Sequence, residues 1–243
     1  MVEKNLFDGK VVLITGSTRG IGLAIAKAFS NEGALIGLNG RDERVVEEAM
    51  KDVPNSISAA GDVSKVSGCK KAVQSVLGQY GRLDILINNA GIASANHTLL
   101  TPVNTVQRIM STNFLGTFLF SREGARMMKK NGFGRIVNLS SIATPLALEG
   151  EAIYASSKAA INNFSQILAR ELAEFGITVN AIGPTPIKTD LIRSLPEEKV
   201  DRLINFLPIK RYGEVKDVIN VIDFFIQPES DYITGQVIYL GGV

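Results

Sequence analysis

Histidine and cysteine are scarce in this chain, and their scarcity excludes several kinds of site. His97 and Cys69 are the only two among 243 residues, and tryptophan is absent. A single cysteine rules out an internal disulfide, and we expect an inert thiol on the flank of a helix. A single histidine argues against a histidine-based metal cluster or catalytic triad, so we predict no metal site.

The chain also lacks an excess of one charge and a long apolar run. It has 26 basic and 24 acidic residues, a formal net charge of +2, which argues against nucleic acid or a membrane surface as a partner. No apolar run reaches the length of a membrane span. The first ten residues have no apolar core of the kind found in a signal peptide, so we expect a cytoplasmic protein.

What is present is an alternation of short β-branched segments with longer segments of helical apolar spacing. The predicted strands are 11–15, 34–38, 56–60, 83–87, 135–139, 178–182 and 237–240, and the predicted helices are 21–31, 43–51, 68–80, 103–129, 152–175 and 215–226. Several strands are apolar on both faces, as expected of a parallel sheet that helices cover on both sides. We therefore predict an α/β Rossmann fold with a doubly wound parallel sheet of seven strands, in a single domain over residues 1–243.

A glycine-rich segment joins the first predicted strand to the first predicted helix. It reads Thr-Gly-Ser-Thr-Arg-Gly-Ile-Gly over residues 15–22. Glycines there permit a tight turn and the close approach of a pyrophosphate, and the free N–H groups of a helix N-terminus bind phosphate. The spacing differs from the common Gly-x-Gly-x-x-Gly, so a turn that binds nothing is the alternative. The candidate cofactor-binding residues are Gly16, Ser17, Thr18, Arg19, Gly20, Ile21 and Gly22.

The end of the second predicted strand indicates which cofactor is preferred. Units that bind NAD place an acidic residue there to hold the ribose 2′-hydroxyl, but here Arg41 follows Leu-Asn-Gly. A guanidinium suits a 2′-phosphate, and Arg19 can supply a second positive contact. We therefore predict NADP(H) as the cofactor, with NADPH preferred over NADH. The alternative is that Arg41 caps a solvated turn.

Tyr154 and Lys158 have the spacing of neighbours on a helix, one turn apart and about 40° apart around the axis. A free phenol has a pKa of about 10, and a nearby ammonium is expected to lower that pKa and make the phenol a useful proton donor. The same spacing recurs at Tyr212 and Lys216, where Gly213 favours a turn over a helix. We interpret the second match as chance.

Several motifs in a characteristic order resemble the short, single-domain branch of the short-chain dehydrogenase/reductase family. The resemblance runs from about residue 9 to residue 242. It depends on the glycine-rich segment together with Asp62-Val63, Asn88-Asn89-Ala90-Gly91, Asn113, Ser141, Tyr154-x-x-x-Lys158 and an element from Pro184 to Thr189. The resemblance implies an oxidoreductase in which a nicotinamide cofactor carries the hydride.

The resemblance also implies a role for each matching residue. Tyr154 is the general acid in reduction or the base in oxidation, and Lys158 lowers its pKa and binds the nicotinamide ribose. Ser141 holds the substrate oxygen, and Asn113 positions a water in a proton relay behind Lys158. The family is usually tetrameric through helices such as 103–129 and 152–175, so we expect a homotetramer. The implied cofactor contacts, besides Tyr154 and Lys158, are Asp62 and Val63 near the adenine, Asn89, Ala90 and Gly91 after the fourth strand, and Pro184, Ile187 and Thr189 near the nicotinamide.

These residues also have plain structural alternatives. Ser140 carries the same hydroxyl as Ser141, and the family spacing to Tyr154 is what selects Ser141. The Asn113 amide could instead satisfy a neighbouring carbonyl. Two departures from the family pattern are Gly-Pro-Thr-Pro over 183–186, which stiffens the loop facing the nicotinamide, and Leu-Gly-Gly over 240–242. The remaining alternatives are helix capping for Asp62 and turn formation for Asn88 and Asn89.

Three segments should surround the substrate carbonyl, namely 92–100, 143–151 and 190–207. The last one mixes apolar and charged residues, which predicts an amphipathic lid at about 190–207. An apolar pocket would suit a hydrophobic ketone or an acyl chain. The alternative is that these apolar residues only pack the lid against the protein. His97 could touch substrate, although a solvated loop histidine is favoured.

Similar patterns occur in 3-oxoacyl-[acyl-carrier-protein] reductases, whose acidic carrier needs basic residues beside the site. Phe175 stands where carrier-binding relatives tend to have a basic residue, which argues against that partner. The leading hypothesis is an NADPH-dependent oxidoreductase that reduces a small-molecule carbonyl, or the reverse. The alternatives are that specific reductase, a non-catalytic NADP-sensing protein, and a nucleotide-sugar epimerase or dehydratase. The basic residues that could meet a carrier are Lys129, Lys130, Arg193 and Arg202.

Overall fold

A parallel sheet forms the centre of the protein. A computed structural model describes residues 7–189, 192 and 197–243. Seven strands pair in parallel in the order β3-β2-β1-β4-β5-β6-β7. They are β1 (Val11–Ile14), β2 (Leu35–Leu38), β3 (Ser56–Ser58), β4 (Ile85–Asn88), β5 (Gly134–Leu139), β6 (Ile177–Gly183) and β7 (Val237–Tyr239). The predicted doubly wound α/β class with seven parallel strands is confirmed.

The helices alternate with the strands. They are α1 (Gly20–Asn31), α2 (Glu43–Met50), α3 (Val66–Tyr80), α4 (Val103–Ile109), α5 (Gly116–Asn131), α6 (Ala143–Leu146), α7 (Ala152–Leu172), α8 (Glu197–Phe206) and α9 (Val215–Ile226). Short 3₁₀ turns occur at Thr98–Leu100, Ala173–Phe175 and Pro228–Ser230. Within the part of the chain that the structure describes, no helix has the length and apolar character needed to cross a bilayer.

Two predicted helices differ from those observed. The helix predicted over 103–129 is divided into α4 and α5 by a π-helical turn, Met110–Leu115. The helix predicted over 152–175 ends at Leu172 and continues as a 3₁₀ turn. Gly132 follows α5 and Gly176 follows that 3₁₀ turn, with left-handed φ angles of 63° and 70°. A glycine in this conformation is a common way to end a helix.

Helices cover both faces of the sheet, and β1 illustrates the consequence. Val12 and Ile14 belong to a core cluster shared with α1 and α9. Val11 and Leu13 belong to a second cluster, shared with α3 and α5. Complete burial of such a side chain contributes about 1.5–3 kcal/mol. Because both faces are buried, the strand is apolar at every position.

The strand order creates a crevice at one edge of the sheet. β1 lies between β2 and β4, so the chain proceeds outward in opposite directions from this point. The loops that follow β1 and β4 separate there, and parallel α/β sheets bind ligands in the resulting crevice at the carboxyl ends of the strands. The glycine-rich segment follows β1 and the Asn-Ala-Gly segment follows β4. The topology thus brings two predicted cofactor-binding motifs to the same place.

Part of the predicted lid lies outside the described residues, namely positions 190, 191 and 193–196. The remainder is residue 192, α8 and the residue after that helix. Val200, Ile204 and Leu207 are buried, whereas Phe206 is 71% exposed. The first three therefore pack against the protein, as the structural alternative expects, and Phe206 does not.

Candidate active site

The glycine-rich segment forms the turn between β1 and α1, and its backbone requires glycine. Gly16 and Gly20 have left-handed φ angles of 62° and 56°, which disfavour a side chain. A Cβ on Gly22 would lie 2.5 Å from the Gly16 carbonyl oxygen. Arg19 precedes α1 and does not cap it with its side chain. As far as the described residues show, the first turn of α1 therefore keeps backbone donors for an anion.

Two buried polar residues hold this turn in place. The Ser17 hydroxyl donates to the Ile14 carbonyl (2.8 Å), and the Ser17 N–H donates to the Asn39 carbonyl (2.9 Å). Asn39 accepts from the Gly16 N–H (3.3 Å) and donates to two carbonyls just after β3 (2.8 and 3.1 Å). Ser17, a predicted cofactor contact, thus uses its N–H and hydroxyl inside the protein. Asn39 is a residue that sequence reasoning missed, because only the neighbouring arginine was weighed at this strand end.

Arg41 lies on the loop that contacts the glycine turn. A Cβ on Gly40 would lie 2.6 Å from the Thr18 methyl carbon, so the loops after β1 and β2 touch. Asp42 caps α2 by accepting from the Arg44 N–H (2.9 Å). Arg41 is exposed and has no side-chain partner among the described residues. An exposed side chain on this loop fits both a solvated turn and a contact to a 2′-phosphate, so the role of Arg41 stays a prediction.

The loop after β4 is bonded directly to the glycine turn. The Asn89 side-chain amide donates to the carbonyls of Thr15 (3.0 Å) and Gly16 (2.9 Å). The N–H groups of Asn89 and Ala90 both donate to the Thr15 hydroxyl oxygen (3.0 Å each). These predicted cofactor residues shape the cleft through bonds within the protein. Thr15 is a further residue that sequence reasoning did not assign to the site.

The residues predicted near the adenine have mainly structural contacts. Asp62 accepts from both the N–H (2.9 Å) and the hydroxyl (2.8 Å) of Ser64, which forms a turn ahead of α3 and does not cap the helix itself. Val63 is buried, and a Cβ on Gly116 would lie 3.2 Å from it. Asn88 is also buried, and its amide donates to side chains within the fold at 2.9 and 2.8 Å. It ends β4 and does not form a turn.

Ser141, Tyr154 and Lys158 come together at the carboxyl end of β5. Tyr154 and Lys158 lie on α7, and the Ser141 hydroxyl is close enough to the Tyr154 phenol to lower its pKa. The Ser141 oxygen also accepts from the Ala143 N–H (3.2 Å). Ser140 instead lies 3.5 Å from the Lys158 carbonyl. The hydroxyl that the family resemblance selected is thus the one that meets the tyrosine.

Burial dominates the electrostatics of this group. Burial raises the pKa of Tyr154 to about 12, the Ser141 hydroxyl opposes that rise, and the charge of Glu151 adds to it. Burial lowers the pKa of Lys158 to about 8. The Lys158 ammonium donates to the Leu139 carbonyl (2.6 Å) and lies 5.9 Å from the centre of the Tyr154 ring. In the protein by itself burial dominates the Tyr154 pKa, and the lowering of that pKa by Lys158 stays a prediction.

Asn113 points inward from the π-helical turn and is fully buried. Its side-chain oxygen accepts from the Ile92 N–H and its amide donates to the Ile92 carbonyl, both at 2.9 Å. The amide also donates to the Ser157 hydroxyl (3.0 Å). A Cβ on Gly91 would lie 3.4 Å from the Lys158 nitrogen and 3.5 Å from the Asn113 oxygen. The structure therefore brings Asn113, Gly91 and Lys158 together, and the Asn113 amide also satisfies a neighbouring carbonyl as the alternative proposed.

The segment predicted near the nicotinamide joins the two halves of the site. The Pro184 carbonyl accepts from the Ile142 N–H (3.1 Å), just after Ser141. Ile187 is buried and forms a bridge with Gly213. The Thr189 methyl carbon lies 3.8 Å from where a Cβ on Gly20 would stand. Residues 184–189 thus run from the neighbourhood of Ser141 to the glycine turn.

The remaining sequence candidates lie apart from this group. Tyr212 precedes α9, Lys216 is 75% exposed and pairs with Glu214 (2.8 Å), which agrees with a chance match. His97 is exposed, and its ring accepts from the Leu99 N–H (3.4 Å), so it caps a local turn. Cys69 is buried inside α3, and burial raises its thiol pKa to about 12, which makes it unreactive.

Comparisons with known proteins agree with this geometry. A family model described as enoyl-(acyl carrier protein) reductase matches residues 16–242. The 3-oxoacyl-[acyl-carrier-protein] reductase FabG of Staphylococcus epidermidis is 34% identical over 238 residues, covering 96% of this chain and 98% of its own. FabG of Salmonella typhimurium is 32% identical over 242 residues, with 97% of each chain covered.

A solved structure described as a "putative gluconate dehydrogenase" of Agrobacterium tumefaciens superposes with a TM-score of 0.91. It is 33% identical in sequence, and the match covers 100% of this chain and 98% of that one. These sequence and structural matches extend over almost the whole length of this chain and of each relative. The chain therefore belongs to the short-chain dehydrogenase/reductase family, whose members interconvert carbonyl and alcohol groups with a nicotinamide cofactor.

Proposed function

We propose that this protein is an NADPH-dependent oxidoreductase in which Tyr154 is the general acid for carbonyl reduction, or the base for the reverse. The observation that carries the proposal is the meeting of Ser141, Tyr154 and Lys158 at the edge of the sheet where the glycine turn opens α1. This is where parallel α/β folds bind nucleotides.

The residues present fit a nicotinamide dinucleotide. The glycine turn packs tightly, since a Cβ on Gly16 or Gly22 would lie 2.9 or 2.5 Å from neighbouring backbone atoms, and the helix behind the turn has no side-chain cap from Arg19. Lys158 is a buried cation beside Gly91, suited to hydroxyl groups of a ribose. When bound, the cofactor supplies or accepts the hydride.

Arg41 supports NADPH over NADH. The loop after β2 has no acid facing the site in the position that NAD-binding units use, since the Asp42 carboxylate is engaged as the cap of α2. The exposed Arg41 guanidinium has five N–H donors for a 2′-phosphate. A 2′-hydroxyl offers no comparable charge, so we expect the phosphorylated cofactor to bind more tightly.

The protein's own side chains then hold and donate the proton. A substrate oxygen held by the Ser141 hydroxyl is also within reach of the adjacent Tyr154 phenol. The raised pKa of Tyr154, about 12, keeps the proton on the phenol until negative charge develops on the substrate oxygen. Lys158 has a pKa of about 8, so it is mainly protonated at pH 7 and stabilises the phenolate left behind. The protonated phenol that predominates near neutral pH is the form that carbonyl reduction requires.

A second candidate is the 3-oxoacyl-[acyl-carrier-protein] reductase activity for which the FabG relatives are named. Large apolar side chains are exposed in the loop after β4 and around the end of α8, and they suit an acyl chain. They are Leu99, Leu100, Phe206 and Ile209. At the position where a basic residue would meet the carrier, Phe175 instead contacts the Lys129 ammonium (3.8 Å to the ring centre). We therefore favour a small hydrophobic ketone or a simple thioester over the carrier-bound form.

We also propose a cytoplasmic homotetramer, on the family resemblance. The apolar side chains of Val103, Leu115 and Ile167 are 70%, 38% and 49% exposed, on the helical segments that the resemblance assigns to assembly. Covering such side chains is what subunit association provides. Light scattering should give the mass of four chains, and the mass of one chain would contradict this proposal.

The test is a panel of ketones, 3-oxoacyl thioesters and the corresponding acyl-carrier substrates, followed by NADPH absorbance. Replacing Tyr154 with Phe should lower kcat by about 100-fold or more, as expected when a general acid is removed. The matched control is Tyr212→Phe, the tyrosine of the chance motif, which should leave kcat unchanged. Undiminished turnover by Tyr154→Phe would remove Tyr154 from the mechanism, and absence of turnover by wild type on the whole panel would favour a non-catalytic sensor.

A further inference from the structure

Ser157 stands between two residues of the proposed mechanism. It lies on α7 immediately before Lys158 and is completely buried. Its hydroxyl donates to the Tyr154 carbonyl (2.7 Å) and accepts from the Asn113 amide (3.0 Å). One hydroxyl thus connects the helical turn that carries Tyr154 and Lys158 to the π-helical turn that carries Asn113.

The bond to Ser157 completes the hydrogen bonding of the Asn113 amide. One amide hydrogen goes to the Ile92 carbonyl and the other to Ser157, while the amide oxygen accepts from the Ile92 N–H. Rotating the amide would break all three bonds. A buried amide hydrogen that loses its acceptor is costly, so the position of Asn113 depends on the Ser157 hydroxyl.

We propose that Ser157 is a positioning residue that sets the distance of Asn113 and the Gly91 loop from Lys158. This inference rests on the proposed function. Gly91 approaches both the Lys158 nitrogen and the Asn113 oxygen, as the 3.4 and 3.5 Å clearances of a Cβ placed there show. The space between these groups is therefore defined by how α7 and the π-helical turn are joined. Ser157 makes that join through a direct hydrogen bond.

The same helix provides a matched control. Ser165 is also completely buried on α7, and its hydroxyl donates to the Ile161 carbonyl (2.7 Å). It accepts from the amide of Asn138 (2.8 Å), as Ser157 does from Asn113. Ser165 lies two turns farther along and contacts none of the catalytic candidates in the described hydrogen bonds. Replacing either serine with alanine removes the same kind of bond from the same kind of environment.

The experiment compares Ser157→Ala and Ser165→Ala. Both should lower the thermal midpoint by a similar amount, about 3–8 °C, since each leaves one buried amide hydrogen without an acceptor. Only Ser157→Ala should lower kcat, by about 10-fold or more, because small displacements of aligned groups are costly. The KM for NADPH should stay within about threefold in both variants, because the glycine turn is untouched. Equal effects on kcat in the two variants would overturn the inference.

A double-mutant cycle with Asn113→Ala tests whether Ser157 acts through Asn113. In that background Ser157→Ala should reduce kcat by less than about twofold, whereas independent effects would multiply. If the effects of the two substitutions on kcat multiply, the inference is overturned even where Ser157→Ala alone lowers kcat. The proposed function is tested separately, because it requires that the wild type turn over substrate and that Tyr154→Phe lower kcat by about 100-fold or more, whatever the serine variants show.

Discussion

Arg41 provides the sharpest test of cofactor choice. It is exposed, stands beside the glycine turn, and has no side-chain partner among the described residues. Charge-assisted hydrogen bonds to a phosphate contribute about 1.5–3 kcal/mol, which is about 10- to 150-fold in affinity. Because solvent screens an exposed cation, we expect the lower part of this range. Arg41→Ala should reduce the ratio of kcat/KM for NADPH to that for NADH by about 10- to 30-fold.

The assay measures both cofactors at a fixed concentration of a ketone that the wild type accepts. The loss should fall on NADPH alone, and Arg41→Asp should lower the ratio further by repelling the 2′-phosphate. Arg170→Ala, which removes an exposed arginine of α7, serves as a control for net charge. Rising salt should reduce the wild-type preference, since the Debye length falls from about 10 Å at 0.1 M to about 3 Å at 1 M. A ratio that Arg41→Ala leaves unchanged would refute the assignment of this residue.

Two further predictions concern packing and pH. Gly22→Ala should abolish NADPH binding and lower stability because its Cβ would lie 2.5 Å from the Asn89 amide nitrogen. Gly78 lies inside α3, where a Cβ would meet nothing within 4 Å, so Gly78→Ala should stabilise the protein by up to about 1 kcal/mol. Calorimetry and cofactor titration measure both effects, and equal behaviour of the two variants would contradict the packing argument. Burial raises the pKa of Asp223 to about 6, above its ordinary value of 3.8, so the folded state holds this proton more tightly than the unfolded state. The free energy of unfolding should therefore fall as the pH rises from about 4 to about 6. Asp223→Asn should remove about 1–2 kcal/mol of that decline after allowance for solvent screening. Urea unfolding at pH 4.5 and pH 7 measures the decline, and a decline that Asp223→Asn leaves unchanged would exclude this residue as its source.

Much of the fold could be predicted because its signals are local. The strands are apolar on both faces, as β1 shows with Val11 and Leu13 on one side and Val12 and Ile14 on the other. The glycine turn follows from backbone angles that only glycine adopts easily, at Gly16 and Gly20. Spacing alone placed Tyr154 and Lys158 on one helix. In each of these cases the physical constraint acts within a few residues, whereas the choice of Ser141 over Ser140 came from the family resemblance.

Other features depend on contacts between distant segments. The π-helical turn at Met110–Leu115 has no signal in a helical apolar pattern, and Asn113 acquires its orientation from Ile92 and from Ser157 on another helix. Asn39 supports the glycine turn only because β1, β2 and β3 end side by side. Neither residue type nor spacing predicts such a bond, because its partner is chosen by the topology.

By itself the sequence determined which elements form, where the glycine turn lies, and which phenol and ammonium are neighbours, since these follow from periodicity, backbone freedom and spacing along a helix. The family resemblance added the Ser141 hydroxyl. Only the tertiary structure decided how those groups are charged and held. Spacing predicted a phenol made acidic by its neighbour, but the packed fold desolvates both groups, raising the pKa of Tyr154 to about 12 and lowering that of Lys158 to about 8. Desolvation is a property of everything packed around a group, and it exists only once the chain is folded.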